Sequence, residues 1–287
     1  MDSRYETFLT LCHFMNYRKT AEELHLTQPA VTRQIQSLEA EFGTRLFLYD
    51  RRKLSLTPAA KILQSYIISL RHNYAELKEN IRQELTPVVR IGATKTIGDY
   101  VIPAAVEKYL SDDTHNLSLE INNTEVLLGK LKDSQLDFAL IEGIFDKSRY
   151  NSKILSRQKF FGICAKNHPL AGQECNFAAL FPENLIIREK GSGTRDIFES
   201  ELRRNGYSVS MFRRATEISS SQIISRLVAK NMGISFAYEA VIAGRSDIAT
   251  FRAENLELVH EFNIVWLKHT EIPQAGQEFL AGLEAAG

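Results

Sequence analysis

Residues 20–42 read TAEELHLTQPAVTRQIQSLEAEF, and this stretch decides how the first part of the chain folds. It reads as two short helices joined by a tight turn. Ala21, Leu24 and Leu26 supply apolar residues to the first helix and the turn. Thr27 stands where an N-cap belongs, its hydroxyl able to accept from a free N–H of the next helix. Pro29 falls in that helix's first turn, where a missing N–H costs nothing. Ala30, Val31, Ile35, Leu38 and Phe42 recur every three to four residues and predict one buried stripe. Gln28, Thr32, Arg33, Gln34 and Gln36 take the other face. Such side chains bond base edges and phosphates, and a helix of this width fits the major groove. Periodicity alone suits an ordinary helical hairpin equally well.

The residues that follow separate the two readings. Arg45-Leu46-Phe47 is succeeded by a basic tip, Asp50-Arg51-Arg52-Lys53, and then by Leu54-Ser55-Leu56-Thr57-Pro58. A basic tip between two short apolar pieces has the pattern of a wing. The ordered run resembles the N-terminal domain of LysR-type transcriptional regulators. The matching pieces are Ala21-Glu22-Glu23-Leu24, the run Thr27-Gln28-Pro29-Ala30-Val31-Thr32-Arg33-Gln34-Ile35, Leu38-Glu39, Gly43-Thr44-Arg45-Leu46-Phe47 and Leu56-Thr57-Pro58-Ala59. Ala60 departs from the family pattern, which often has glycine there. The resemblance implies a DNA contact set of Thr27, Gln28, Pro29, Thr32, Arg33 and Gln34 on the helix, with Arg51, Arg52 and Lys53 holding phosphate from the wing.

Composition sets limits on this. Across 287 residues, 35 Lys and Arg balance 35 Asp and Glu, so bulk charge does not draw the chain to nucleic acid. A local footprint is still available: residues 25–61 carry six basic side chains against three acidic ones. Cys12, Cys164 and Cys175 form no C-x-x-C pair, an odd count that suits a reducing compartment. Cys12 reads as core, Cys164 as part of a strand, and Cys175 as a free thiol in a loop. The first residues, MDSRYETFL, lack the long apolar core of a signal peptide, and no run reaches a membrane span's length. A cytoplasmic protein with no membrane partner is expected.

A first helix is predicted from Tyr5 to Met15, with Asn16 and Tyr17 at its exit and Arg18 and Lys19 facing phosphate or water. Thr57-Pro58 opens a longer helix running to about Glu84. In it Leu63, Ile67, Leu70, Tyr74, Leu77 and Ile81 recur at alternating steps of four and three, a seam of heptad type. About 27 residues span roughly 40 Å, too long for one winged helix to cover. A second copy of the helix is the better cover, and a dimer would space two recognition helices on adjacent half-sites.

From Val88 strands alternate with helices: strand 88–93, a polar turn 94–99, helix 100–110, strand 117–121, helix 124–133 and strand 136–141. This indicates an α/β domain with a largely parallel sheet. Short strands at 154–155 and 160–165 lead into Lys166-Asn167-His168-Pro169-Leu170. In the family a His-Pro-Leu marks the crossing into a second lobe, so His168 reads as a turn residue and not a catalyst. The expected architecture is therefore α+β followed by α/β. A winged helix-turn-helix spans 1–58, and a dimerisation helix and hinge 59–87. A two-lobed effector domain resembling type 2 periplasmic binding proteins spans 88–287, with lobe I at 88–164 and 266–287 and lobe II at 165–265.

Three turns share one design of strand, hydroxyl- or glycine-rich turn, and helix start: Thr94-Lys95-Thr96, Gly191-Ser192-Gly193-Thr194-Arg195 and Ser219-Ser220-Ser221. Helix starts suit anions, and open α/β sheets bind ligands beyond their strands' carboxyl ends. Each turn alone needs no more than helix capping to explain it. The second resembles a loop in LysR-type regulators that include carbon-fixation and sulfur-related members. The candidate effector set is Thr94, Lys95, Thr96, Glu142, Ser192, Gly193, Thr194, Arg195 and Ser220. Arg195 pairs with the ligand's charge or locks the loop to a carboxylate, and Lys95 reaches the cleft or faces water. Glu142 is out of place in an anion site unless protonated, neutralised by Lys95 or Arg195, or accepting from a ligand N–H or hydroxyl.

Ser192 has no base nearby in the sequence, and the histidines lack metal spacing such as H-E-x-x-H, so no enzyme, cofactor or metal is expected. The resemblance implies a transcriptional regulator controlled by a small effector, an oxyanion or small carboxylate. Its partners would be double-stranded DNA, further copies of itself as homodimer or homotetramer, and RNA polymerase. The rivals are a plain ligand-binding or transport module and an enzyme with a DNA-binding appendage.

Overall fold

A computed structural model describes residues 2–50, 53–82, 88–256 and 259–284. The chain divides into two compact units, one of Met1–Arg82 with Lys268–Thr270 and one of the remaining residues.

The first unit begins with α1 (Ser3–Phe14), started by the Asp2 carboxylate, which accepts from Arg4 N–H. α2 (Tyr17–Glu23) follows at once. It starts three residues before the expected stretch because the Asn16 side chain caps it, accepting from Lys19 N–H at 3.1 Å. α3 (Gln28–Phe42) starts as expected: Thr27 Oγ1 accepts from Ala30 N–H at 3.3 Å, and Gly43 closes the helix in the left-handed region (φ 63°). Val31, Ile35 and Leu38 are buried against Phe8, Leu11 and Ala21. Phe42, expected in this stripe, is the last residue of the helix and is 46% exposed.

β1 (Phe47–Asp50) and β2 (Lys53–Leu56) form the antiparallel wing. Glu39 secures its base, accepting from Leu46 N–H at 2.8 Å and pairing with Arg45. α4 (Pro58–Arg82) opens on Thr57, whose hydroxyl accepts from Ala60 N–H. It belongs to the first unit rather than standing as a separate linker. The predicted seam divides along its length. Ile67 is buried and Leu63 partly buried in the unit's own core, while Leu70, Tyr74 and Leu77 are about half exposed. The side chain of Ile81 lies outside the described residues.

The second unit opens with β3 (Val88–Thr94). The predicted polar turn is a helix, α5 (Lys95–Tyr100), and Pro103 starts a separate α6 (Pro103–Leu110), so the single expected helix is two. β4 (Asn116–Asn122), α7 (Thr124–Lys132) and β5 (Phe138–Glu142) complete a parallel β4–β3–β5 sheet. β6 (Tyr150–Ala165) is one continuous strand of 16 residues where two short ones were expected. Its outer half is largely solvent-facing and carries little apolar pattern to read.

β7 (Glu174–Cys175), β8 (Asn184–Ile187), α8 (Gly193–Arg204), β9 (Arg214–Glu217), α9 (Ser221–Ala229), β10 (Ser235–Tyr238) and α10 (Glu239–Ile242) build the second lobe. The sequence reading passes over β11 (Ile248–Ala253). β12 (Val259–Leu267) pairs antiparallel with both β5 and β6, and α11 (Gln274–Glu284) packs on the first lobe.

The lobe boundaries differ from those expected. β6 pairs with β12 as far as Lys159, and from Phe160 onward with β10 and β11. The crossing therefore lies inside one strand, near 159–160 rather than at 164. Residues 259–265 lie in the first lobe's sheet, because β12 pairs there with the first half of β6 and, from Phe262, with β5. Among the described residues no helix is long and apolar enough to cross a membrane.

Candidate ligand and nucleic-acid sites

On the first unit, Thr27, Gln28, Pro29, Arg33 and Lys53 are exposed. Thr32 is partly covered and its hydroxyl donates to Gln28 O at 3.0 Å. Gln34 differs in accepting from Thr7 Oγ1 at 2.5 Å, so its amide oxygen is spent tying α3 to α1. Arg51 and Arg52 lie outside the described residues. Arg18 pairs with Glu22 one turn on, and both are largely exposed. Along α4, Ile62 and Tyr66 join Leu70 in an exposed apolar face, bordering a 540 Å³ groove that reaches Tyr5 and Phe42.

In the second unit the ends of β3 and β5 meet the start of α8. Glu142, the last residue of β5, is 1% exposed. Its Oε1 accepts from Thr96 Oγ1 at 3.0 Å and from Thr194 Oγ1 at 2.7 Å, and its backbone carbonyl accepts from Thr124 Oγ1. One carboxyl thus joins a threonine from each lobe. Burial pushes this carboxyl above its ordinary range, against the hydroxyls of Thr194 and Thr96 and the charge of Arg188. Neither Lys95 nor Arg195 forms an ion pair with it.

Gly193 serves packing here. A Cβ on it would lie 2.1 Å from the Glu142 carbonyl oxygen, so only glycine lets α8 approach β5. Facing it, Gly143 sits at φ 105°, a conformation that favours glycine.

The three turns separate by their hydroxyls. Ser220 caps α9, accepting from Ile223 N–H at 3.3 Å. Thr94 and Ser192 occupy cap positions without making the cap bond. Both hydroxyls are buried and without a partner among the described residues, as are Glu142 Oε2 and the Tyr238 hydroxyl. Buried polar atoms are nearly always bonded, so orphans grouped around one seam call for a missing partner.

The cations have internal partners. Arg195 pairs with Glu199 and Glu217 and donates to Arg188 O, locking the loop. Lys95 crosses from the first lobe to Glu189 at 3.0 Å and donates to Ser219 O at 2.8 Å. Sequence reasoning missed Arg188, which is buried and lines a narrow space with Thr96, Thr194, Ser221, Ser235 and Tyr238. An arginine at the end of an apolar strand looks the same in sequence whether it faces solvent or a cleft. The free volume there is 10 Å³, the scale of one water molecule.

Comparison with known proteins bears on both units. A sequence model described as "Bacterial regulatory helix-turn-helix protein, lysR family" matches residues 3–61, and one described as "LysR substrate binding domain" matches 82–287. The HTH-type transcriptional regulator CysL of Bacillus subtilis is 31% identical over 245 residues, covering 83% of this chain and 80% of its own. The regulatory domain of Synechocystis PCC6803 CcmR, solved in complex with 2-PG, superposes with a TM-score of 0.62 at 23% identity. It covers 69% of this chain and 96% of that one. A Corynebacterium glutamicum OxyR C206 mutant covers 99% of this chain and 91% of its own, with a TM-score of 0.59 at 21% identity. These two structures support the fold.

Proposed function

The chain belongs to the LysR family of transcriptional regulators, and on that premise we propose that it senses a small inorganic oxyanion held between the two lobes of its second unit. It is a DNA-binding regulator controlled by an effector. The observation that carries the oxyanion reading is the set of orphaned groups at the seam: Thr94 Oγ1, Ser192 Oγ, Glu142 Oε2 and the Tyr238 hydroxyl. Hydroxyls and a protonated carboxyl are neutral donors, suited to a compact acceptor with several oxygens. Burial favours the protonated form of Glu142, which answers the objection to a carboxyl in an anion site. Arg188 lines the same space as Tyr238 and its charge reaches Glu142. The space beside Arg188 is water-sized in this arrangement, so a compact oxyanion demands less opening than a larger carboxylate, the second candidate.

DNA is held by a homodimer joined along the exposed face of α4. Gln28, Pro29, Thr32 and Arg33 read bases or position the helix, while Lys53, with Arg51 and Arg52, holds phosphate. Pairing of dimers into a tetramer, contact with RNA polymerase and a cytoplasmic location belong to the same reading. A ligand that binds one lobe arrangement better than another shifts the population, and with it the spacing of the recognition helices.

A thermal-shift screen of the full chain against sulfate, sulfite, phosphate, thiosulfate and small carboxylates tests this. A ligand at 100 times its Kd adds about 2.7 kcal/mol, or roughly 5–10 °C in a unit of this size. The Thr94→Ala/Ser192→Ala variant should lose the shift. A panel without a hit, with DNA binding intact, would refute the oxyanion reading.

A further inference from the structure

The cations of the cleft already hold an anion that belongs to the chain. The Arg188 Nε donates to Glu189 Oε2 at 2.8 Å and its Nη2 to Glu189 Oε1 at 3.2 Å. The guanidinium fork is thus occupied by the next residue's carboxylate. Nη1 turns the other way, to Ser221 Oγ at 3.1 Å, and the Arg188 carbonyl is pinned by Arg195. Lys95 closes on the same carboxylate from the opposite lobe. Burial raises the Glu189 pKa, but the bonds and charge of Arg188 and the bond from Lys95 outweigh it and hold the group below its ordinary value.

A second carboxylate, Asp99, lies within electrostatic reach of both cations, although burial pushes its pKa up. Glu142 faces the same cluster, and Arg188 and Glu189 act on it in opposite senses. Glu189, bonded to both cations, and Asp99 nearby set carboxylates against them. An arriving anion meets that opposition until one carboxylate leaves. Glu189 is the one placed to leave. It stands at the head of the turn whose Gly191 takes φ 80°, its side chain is 16% exposed, and Arg188 at 5% is walled in.

We infer that Glu189 is a built-in competitor for the ligand, a specificity-determining residue that an anion must displace from Arg188 and Lys95. This rests on the oxyanion reading above. The consequence is selection by charge. A monoanion offers the same charge as the carboxylate it evicts and competes against a tethered group at high effective concentration. A dianion gains one further charge against two cations. The ligand class is therefore a doubly charged small oxyanion, in preference to a singly charged one of like shape.

Sulfate and perchlorate are tetrahedral oxyanions that differ in charge. Each is titrated calorimetrically into the full chain, wild type and Glu189→Gln, which keeps the side chain's shape. Wild type should take sulfate and discriminate against perchlorate. Glu189→Gln should bind sulfate about tenfold tighter and narrow the preference, a coupling of ordinary size. Lys95→Met removes a cation and leaves Glu189 on Arg188, so it should bind sulfate more weakly. Tighter binding by Lys95→Met would overturn the assignment, showing that the crossing acts only as a latch. Wild type binding sulfate with Glu189→Gln no tighter would refute the competitor and leave the oxyanion reading standing. Sulfite, phosphate and thiosulfate are titrated alongside; neither protein binding any of these anions would refute that reading and this inference with it.

Discussion

Replacing Gly193 with alanine tests whether the two lobes meet backbone to backbone. The added Cβ would lie 2.1 Å from Glu142 O, 2.8 Å from its carbonyl carbon and 3.0 Å from Gly143 Cα. All three are backbone atoms, so no rotamer change relieves the clash. Regaining a 3.4 Å contact with the oxygen means withdrawing the start of α8 by about 1.3 Å. That shift stretches the 2.7 Å bond between Thr194 Oγ1 and Glu142 Oε1 beyond hydrogen-bonding distance. Overpacking costs about 1–3 kcal/mol, and loss of a bond to a buried carboxyl adds about 1–2 kcal/mol. A total near 3 kcal/mol lowers the second unit's melting temperature by roughly 6–12 °C. Gly129→Ala is the matched control. It lies inside α7 with nothing within 4 Å of its added Cβ, and should gain about 0.5–1 kcal/mol from helix propensity. Scanning calorimetry of the three proteins decides the matter. If Gly193→Ala melts with wild type, or moves upward with Gly129→Ala, the close approach is not part of the native packing.

Three further outcomes are expected. Because the Glu142 carboxyl is raised in the folded protein above its ordinary 4.5, the folded state holds its proton more tightly than the unfolded chain. Its contribution is fully present below that value and is lost as pH rises through the folded pKa. The melting temperature of Glu142→Gln should accordingly gain on wild type as pH rises from 4 to 8, and a constant or shrinking difference would contradict the burial. Placing lysine at both Leu70 and Leu77 should halve the mass seen by sedimentation, whereas an unchanged mass would remove α4 as the dimer face. Arg33→Ala should cost about 1–3 kcal/mol of DNA affinity if the side chain makes a good bidentate base contact, read by titration against specific and scrambled duplexes. Unchanged binding to both would end its assignment.

Local chemistry alone determined much of this protein. Thr27, Pro29 and Gly43 bound a helix because caps, first-turn prolines and left-handed glycines act on their own neighbours. The spacing of Val31, Ile35 and Leu38 gives its buried face for the same reason. Alternating strands and helices after Val88 sufficed for an α/β unit and its parallel β4–β3–β5 part, and put Thr96, Glu142 and Thr194 among the candidates, but not for the antiparallel pairings of β6 with β10, β11 and β12. Tertiary structure decided what these residues do. Whether a threonine caps a helix or stands free depends on what packs above it: Ser220 caps, while Thr94 and Ser192 do not. The partners of Lys95 and Glu142 lie 94 and 52 residues away along the chain, at Glu189 and Thr194. A periodic pattern carries no record of such distances. Arg188 and Gly193 take their roles from a close approach between lobes, and only the folded chain brings those surfaces together.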